Sequence, residues 1–299
     1  MLLRGLMRRS GRSFCGGRFN MKNIKELLEF SIINIDKSSG PTSFSVSDYV
    51  RKLLGLRKTS HFGTLDPKVT GVLPIALNRA CKLTGFFLGH DKEYVGVMRV
   101  HDDIELDELQ KIIDENFIGK IIQLPPQKSR VKREEREREI KSFELLEKDG
   151  KSFLFQTEVQ GGTYIRKLIH DLGEKINGAH MLELRRIRAG IFSETKSVNL
   201  YDFKSAVEEF DKGEEKNLRK MLVDASGCVK EIMPVVQVKK GSLKQLLTGK
   251  PLFESDLVGE VPKLKEDDIF AVFLDDRFIE IARKTAEKEI FGRALFVLN

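Results

Sequence analysis

Strand-like runs and amphipathic helical stripes alternate along this sequence without the regular strand–helix–strand beat of a doubly wound sheet. The run Ser31-Ile-Ile-Asn-Ile-Asp36 reads as a short buried strand, and Lys37-Ser-Ser-Gly-Pro41 as the turn after it. Thr42 and Ser43 are placed to cap a helix whose apolar residues Val46, Tyr49, Val50 and Leu53 recur at helical spacing and which ends near Gly55. Strands are expected over 94–100 and 153–159 and a helix over 102–116. Another helix is expected over 163–177, where Ile165, Leu168, Ile169, Leu172 and Ile176 share one stripe and Thr163 can cap. This order predicts an α+β fold with a mixed or antiparallel sheet.

With 299 residues, 40% of them apolar, the chain is long enough for two ordinary domains. The stretch 204–232 is polar and helical in pattern. Pro234 then opens short strand-like runs at 235–238, 269–274, 278–282 and 294–298, separated by turns at Gly241, Gly249, Gly259 and Asp275-Asp276. We therefore expect a larger domain over 21–229 and a small β-rich one over 230–299. Residues 1–20 hold five arginines and no acid, and cannot build a core. They read as a start assigned too early, a basic RNA-touching tail or a transit peptide.

The formal charge of +7 invites a nucleic-acid reading, but five of the basic residues lie in that first segment. Between 21 and 229 the count is 35 basic against 33 acidic, and from 230 onward 12 against 12. Any footprint for RNA must therefore be local. Apolar runs such as 72–77 are far shorter than the roughly 20 residues of a membrane span. Cys15, Cys81 and Cys228 are too few and scattered for a disulfide framework, which predicts a reducing, cytoplasmic location. No phosphate loop, dinucleotide fingerprint or histidine pair at metal-ligand spacing is present, and His61, His90, His101, His170 and His180 are dispersed. What remains is a reaction at a single carboxylate with neither cofactor nor metal.

The segment His61-Phe-Gly-Thr-Leu-Asp-Pro-Lys-Val-Thr-Gly71 surrounds one aspartate with small and polar residues. An acid immediately before proline is held extended, so Asp66 either points reproducibly into a cavity or caps a tight turn. In Gln160-Gly-Gly-Thr-Tyr-Ile-Arg166 the arginine leaves the buried stripe sideways in the first helical turn, beside unpaired N–H groups. That placement suits an arginine facing an anion, or one simply solvated. Tyr94, in Lys92-Glu-Tyr94, offers a ring for base stacking or for the core. The arginines of Leu184-Arg-Arg-Ile-Arg-Ala-Gly190 form a phosphate-binding edge or a solvated face, and the mixed-sign run 128–141 a solvated hairpin or an RNA-facing loop.

Taken in order, Asn34 to Ser43, His61 to Pro67, Lys92-Glu-Tyr94, Gly162 to Arg166 and Leu184 to Gly190 resemble the TruB-type pseudouridine synthases. Asp66-Pro-Lys-Val-Thr-Gly71 and Gly178-Ala-His-Met-Leu-Glu-Leu184 are similar to the dyskerin branch, specifically the archaeal catalytic subunit of box H/ACA guide-RNA particles. The tail with Leu247-Thr-Gly-Lys-Pro251 is similar to a PUA RNA-binding domain. The resemblance implies isomerisation of uridine in rRNA under a guide RNA, in company with small accessory proteins, and tRNA T-loop activity is a further or stand-alone possibility. It implies Asp66 as the catalytic aspartate, Tyr94 as the aromatic on the flipped uracil and Arg166 as the partner of Asp66. Lys37, His61, Thr64 and Arg188 are implied as substrate-binding. A bulky Phe62 stands where the family usually has a small residue, which is expected to alter packing beside the catalytic loop.

Overall fold

A computed structural model describes residues 23–125 and 132–299. The first 22 residues, and with them the expectations for 1–20, lie outside the described residues, as do 126–131, which include 128–131 of the mixed-sign run. Eleven described strands form the main sheet, whose long members are β1 (Ser31–Lys37), β3 (Thr70–Leu77), β4 (Lys92–Val100), β5 (Gly119–Gln123), β6 (Arg136–Asp149), β7 (Ser152–Val159) and β8 (Ala179–Ala189), with β2 (Thr59–His61) beside β3. Their order is β1-β3-β8-β4-β7-β6-β5. Among these strands pairing is antiparallel except between β3 and β8, and the short strand Val198–Asn199 also lies parallel to β1. The sheet is thus mixed, and the fold is α+β as expected.

Helices α1 (Ile24–Glu29), α2 (Ser43–Leu53), α3 (Thr84–Leu88), α4 (Leu106–Asn116) and α5 (Ile165–Lys175) accompany these strands. Helix α2 starts where Thr42 accepts from the Ser45 N–H at 3.0 Å and Ser45 Oγ accepts from the Thr42 N–H at 3.1 Å. In α5 the stripe Ile165, Leu168, Ile169 and Leu172 is buried in the core of the main sheet. Its start departs from expectation. Thr163 does not cap the helix, because its hydroxyl donates to Gln160 O at 2.8 Å and closes the preceding turn. Gln123, on β5, does the anchoring instead: its Oε1 accepts from the Tyr164 N–H at 3.0 Å and its Nε2 donates to Tyr164 O at 3.2 Å. The helix expected from 102 begins at Leu106, since Asp102 accepts from Asn177 and Asp103 pairs with Lys148. The polar stretch 204–232 is broken by strand Leu222–Asp224, which pairs with the start of β1.

A separate six-stranded sheet is built from strands between Val235 and Val297, with its own apolar core around Val236, Phe270, Val272 and Ile279. Helix Ala225–Ile232 runs across the expected boundary at 230. Between the two sheets lies a shared apolar cluster, in which Phe30, just before β1, stacks on Phe278 at 5.4 Å between ring centroids. Among the described residues no helix is long and apolar enough to cross a membrane.

Candidate active site

The loop between β2 and β3 is tied down on both sides of its aspartate. Lys37, the last residue of β1, is fully buried, and its ammonium donates to the carbonyls of Ser38 at 2.8 Å, Pro67 at 3.0 Å and Val69 at 2.8 Å. The Gly40 N–H donates to Pro67 O at 2.9 Å, and Ser43 Oγ accepts from the Leu65 N–H at 2.7 Å and donates to Leu65 O at 3.0 Å. Farther back, Arg186 donates through Nη2 to Gly63 O at 3.0 Å and through Nε to Val72 O at 2.8 Å. Leu65 and Val69 are buried. Backbone groups at 63, 65, 67 and 69 are therefore all held, and Asp66 is left with its carboxylate half exposed at a fixed place.

Opposite it, the first turn of α5 presents Arg166, whose Nη2 forms an ion pair with Asp66 Oδ2. The two side chains line a cavity of about 720 Å³ together with Thr64, Tyr94, Lys92 and Arg186. Tyr94 is buried in this wall, on the same face of β4 as Lys92, and its cross-strand partner on β8 is Arg186. Gly71 lets β3 and β8 meet here: at φ +101° it has no Cβ, and one would stand 2.1 Å from Arg186 O.

His61 lies beside the cavity, its Nε2 3.1 Å from Thr64 Oγ1, and burial together with the charge of Arg186 lowers its pKa. At neutral pH it is an uncharged partner for the Thr64 hydroxyl. Lys37 has every ammonium proton committed to backbone carbonyls, so the substrate contact expected of it gives way to support of the loop, and burial lowers its pKa as well. Arg188 stands apart from the cavity. Its guanidinium is taken by Glu93 at 3.1 Å and Glu158 at 2.9 Å, so the substrate contact expected of it is replaced by a sheet-surface ion pair. Arg185 is likewise held, by Asp36 and Glu194. The three arginines are not one solvated face, since the middle one, Arg186, is 1% exposed and faces the cavity. Phe62 turns away from the site and stacks on Phe87 at 4.6 Å in the shared cluster.

Two cavity residues escaped the sequence reading, Lys92 and Arg186. A period-2 reading from Tyr94 would have put Lys92 on its face. Nothing short of the β4–β8 register identifies Arg186.

The comparisons with known proteins agree with this geometry. Residues 51–165 match the TruB family pseudouridylate synthase N-terminal domain, and 166–230 the tRNA pseudouridylate synthase B C-terminal domain. A "Probable tRNA pseudouridine synthase B" of Methanopyrus kandleri is 41% identical over 252 residues, 84% of this chain and 74% of that protein. Its counterpart in Methanocaldococcus jannaschii is 42% identical over 234 residues, 78% and 69% of the two chains. Among solved structures, an H/ACA RNP bound to a substrate RNA containing 2′-deoxyuridine superposes with TM-score 0.84 at 33% identity, over 93% of this chain and 88% of that one. A Cbf5-Nop10-Gar1 complex gives 0.84 at 36% identity, over 93% and 87%. Likeness of this extent in both sequence and backbone, around a carboxylate loop the fold holds so firmly, has one reading: the chain belongs to the TruB family of pseudouridylate synthases.

Proposed function

We propose that the chain isomerises uridine to pseudouridine in rRNA within a box H/ACA particle, where a guide RNA and small accessory proteins deliver the target. The observation that carries the chemistry is the Asp66–Arg166 pair at one cavity walled by Tyr94. Support for the guided setting comes from the neighbours, whose descriptions name H/ACA particles, substrate RNA, Nop10 and Gar1.

In this reading the target nucleotide leaves its stack, at a cost of a few kcal/mol, and its uracil packs on Tyr94. Asp66 acts at the ribose as nucleophile or base, and Arg166 keeps it ionised and aimed. In the free protein the pair is more than half exposed, where such contacts contribute about 0–1 kcal/mol. RNA covering the cavity removes that water and strengthens the pairing. Thr64, oriented by His61, offers a hydroxyl to the substrate. The PUA-like second sheet, spanning 230–299 with the end of helix Ala225–Ile232, holds RNA outside the catalytic cavity. A cytoplasmic site of action accords with Cys81 and Cys228, which are buried and free.

A second reading, unguided modification of the tRNA T-loop, is favoured by the names of the relatives. A non-catalytic RNA scaffold would have no use for a half-exposed aspartate so firmly placed. One assay separates the three: the chain with a tRNA or rRNA transcript, with and without guide RNA and accessory proteins, scored for pseudouridine. Product with tRNA alone supports the unguided reading, product only with guide the guided one, and none under any condition the scaffold.

A further inference from the structure

Lys92 and Arg186 are two cations side by side in the inner wall of the cavity. Both are at most 5% exposed, and a Cβ on Gly63 would stand 3.3 Å from Lys92 Cε and from Arg186 Nη1 alike. Their hydrogen-bond partners among the described residues are neutral. Lys92 Nζ donates to Leu88 O at 2.9 Å and His90 O at 2.5 Å, while Arg186 uses Nε and Nη2 on Val72 O and Gly63 O. One ammonium proton, one Nη2 proton and the Nη1 group are left over, on side chains that line the cavity. Buried cations without an anion are costly, and the fold has placed two together.

The charged and titratable groups around them relieve this only in part. Asp91, next to Lys92 in the chain, raises the Lys92 pKa less than burial and Arg186 lower it, and is itself engaged with Lys141. His61 is shifted toward its neutral form by burial and by Arg186. Asp66 is engaged with Arg166 at the cavity. Lys92 itself is pushed down to about 8, first by burial and then by Arg186. Such a wall is set for negative charge that arrives during the reaction.

Resting on the proposed isomerisation, the geometry points to an anion subsite: Lys92 and Arg186 stabilise the negative charge left on uracil when its bond to ribose breaks. The bond from C1′ to N1 parts with its electron pair on N1, spread over C5 and the two carbonyl oxygens. The ribose is satisfied by a new bond from C1′ to Asp66, or by loss of its C2′ proton to Asp66. Rejoining C5 to C1′ expels Asp66 from C1′ or returns the proton from Asp66 to C2′; the C5 proton is then released, N1 takes one up, and the formula is unchanged. Because Tyr94 lies next to Lys92 along one strand face and opposite Arg186 on the neighbouring strand, a base on its ring has both cations at its edge.

The test uses Lys92→Met and Lys92→Arg in the full chain. First, binding of barbiturate, a planar pyrimidine anion, is compared with that of neutral uracil by calorimetry. The parent should prefer the anion by about tenfold and Lys92→Met should lose the preference, as one displaced charge contact is worth roughly that factor. This readout needs no turnover, so a parent that prefers barbiturate but modifies no RNA would overturn the proposed function and leave the subsite standing. Second, single-turnover rates at saturating enzyme should fall about 10- to 100-fold in Lys92→Met with RNA affinity within a few-fold. Lys92→Arg should move the alkaline fall in rate upward from near the Lys92 pKa, because arginine keeps its proton. Equal binding of barbiturate and uracil by the parent overturns the subsite, and so does a parental rate in Lys92→Met. Loss of RNA affinity instead of rate would assign the cations to an RNA phosphate and overturn the uracil assignment.

Discussion

Glu280 sits in strand Arg277–Lys284 of the second sheet, fully buried, with neither carboxylate oxygen hydrogen-bonded among the described residues. Burial pushes its pKa from the ordinary 4.5 up to about 8. The folded chain therefore keeps this acid protonated where the unfolded chain has already ionised it. Below the unfolded value both states hold the proton and folding is not penalised. As pH rises toward the folded value near 8, stability is lost by about 1.4 kcal/mol per pH unit, and the loss is complete above it. Glu280→Gln has no proton to lose. The stability difference between parent and variant should thus shift by roughly 2–3 kcal/mol in favour of the variant between about pH 5 and pH 7. Urea unfolding of both proteins across that range, followed by circular dichroism, measures the difference directly, and all other titrations cancel in it. A difference that stays constant with pH would refute a buried, proton-holding Glu280.

Asp66→Asn should abolish pseudouridine formation while RNA affinity stays within about a few-fold, since the amide fills the same space without nucleophile or base; filter binding beside a turnover assay checks both. Arg166→Met should lower the rate and shift the pH–rate profile upward, Arg166→Lys should shift it much less, and unchanged rates and profile would remove the pairing from the chemistry. In Lys37→Met three carbonyls lose a donor, so about 3 kcal/mol or more of stability should go, read by thermal unfolding, along with turnover. Phe30→Ala should cost about 3–5 kcal/mol and loosen both sheets together, visible as hydrogen exchange on either side of the shared cluster.

What could be read from the residues was whatever local patterning governs. The α5 stripe, the Thr42 cap and the strand that carries Tyr94 follow from spacing within a few residues, and they stand where spacing puts them. Asp66 drew notice because Pro67 restricts its backbone. The start of α5 was misjudged for a nonlocal reason, as its anchor Gln123 lies 41 residues from Tyr164. The arginines at 185, 186 and 188 look alike in sequence but differ in what neighbouring strands offer each: two carboxylates, two carbonyls inside the cavity, and two carboxylates on the sheet surface. Lys37 was expected to bind substrate because it matches a motif position of the resembled family, and a fully buried lysine is rare enough that nothing in the residues pointed to burial. Its three carbonyl acceptors exist only after the loop closes over it.

Strand β1 begins directly after Phe30, at the seam with the second sheet, and ends at Lys37 beneath the Asp66 loop. Seven extended residues make it a strut roughly 23 Å long, clamped at one end by an aromatic stack and at the other by an ammonium. A strut of fixed length works as a measuring rod. In the proposed function, an RNA that touched the second sheet and the cavity at once would have to span that rod, and the reacting uridine would be chosen by its distance along the RNA as much as by the bases around it.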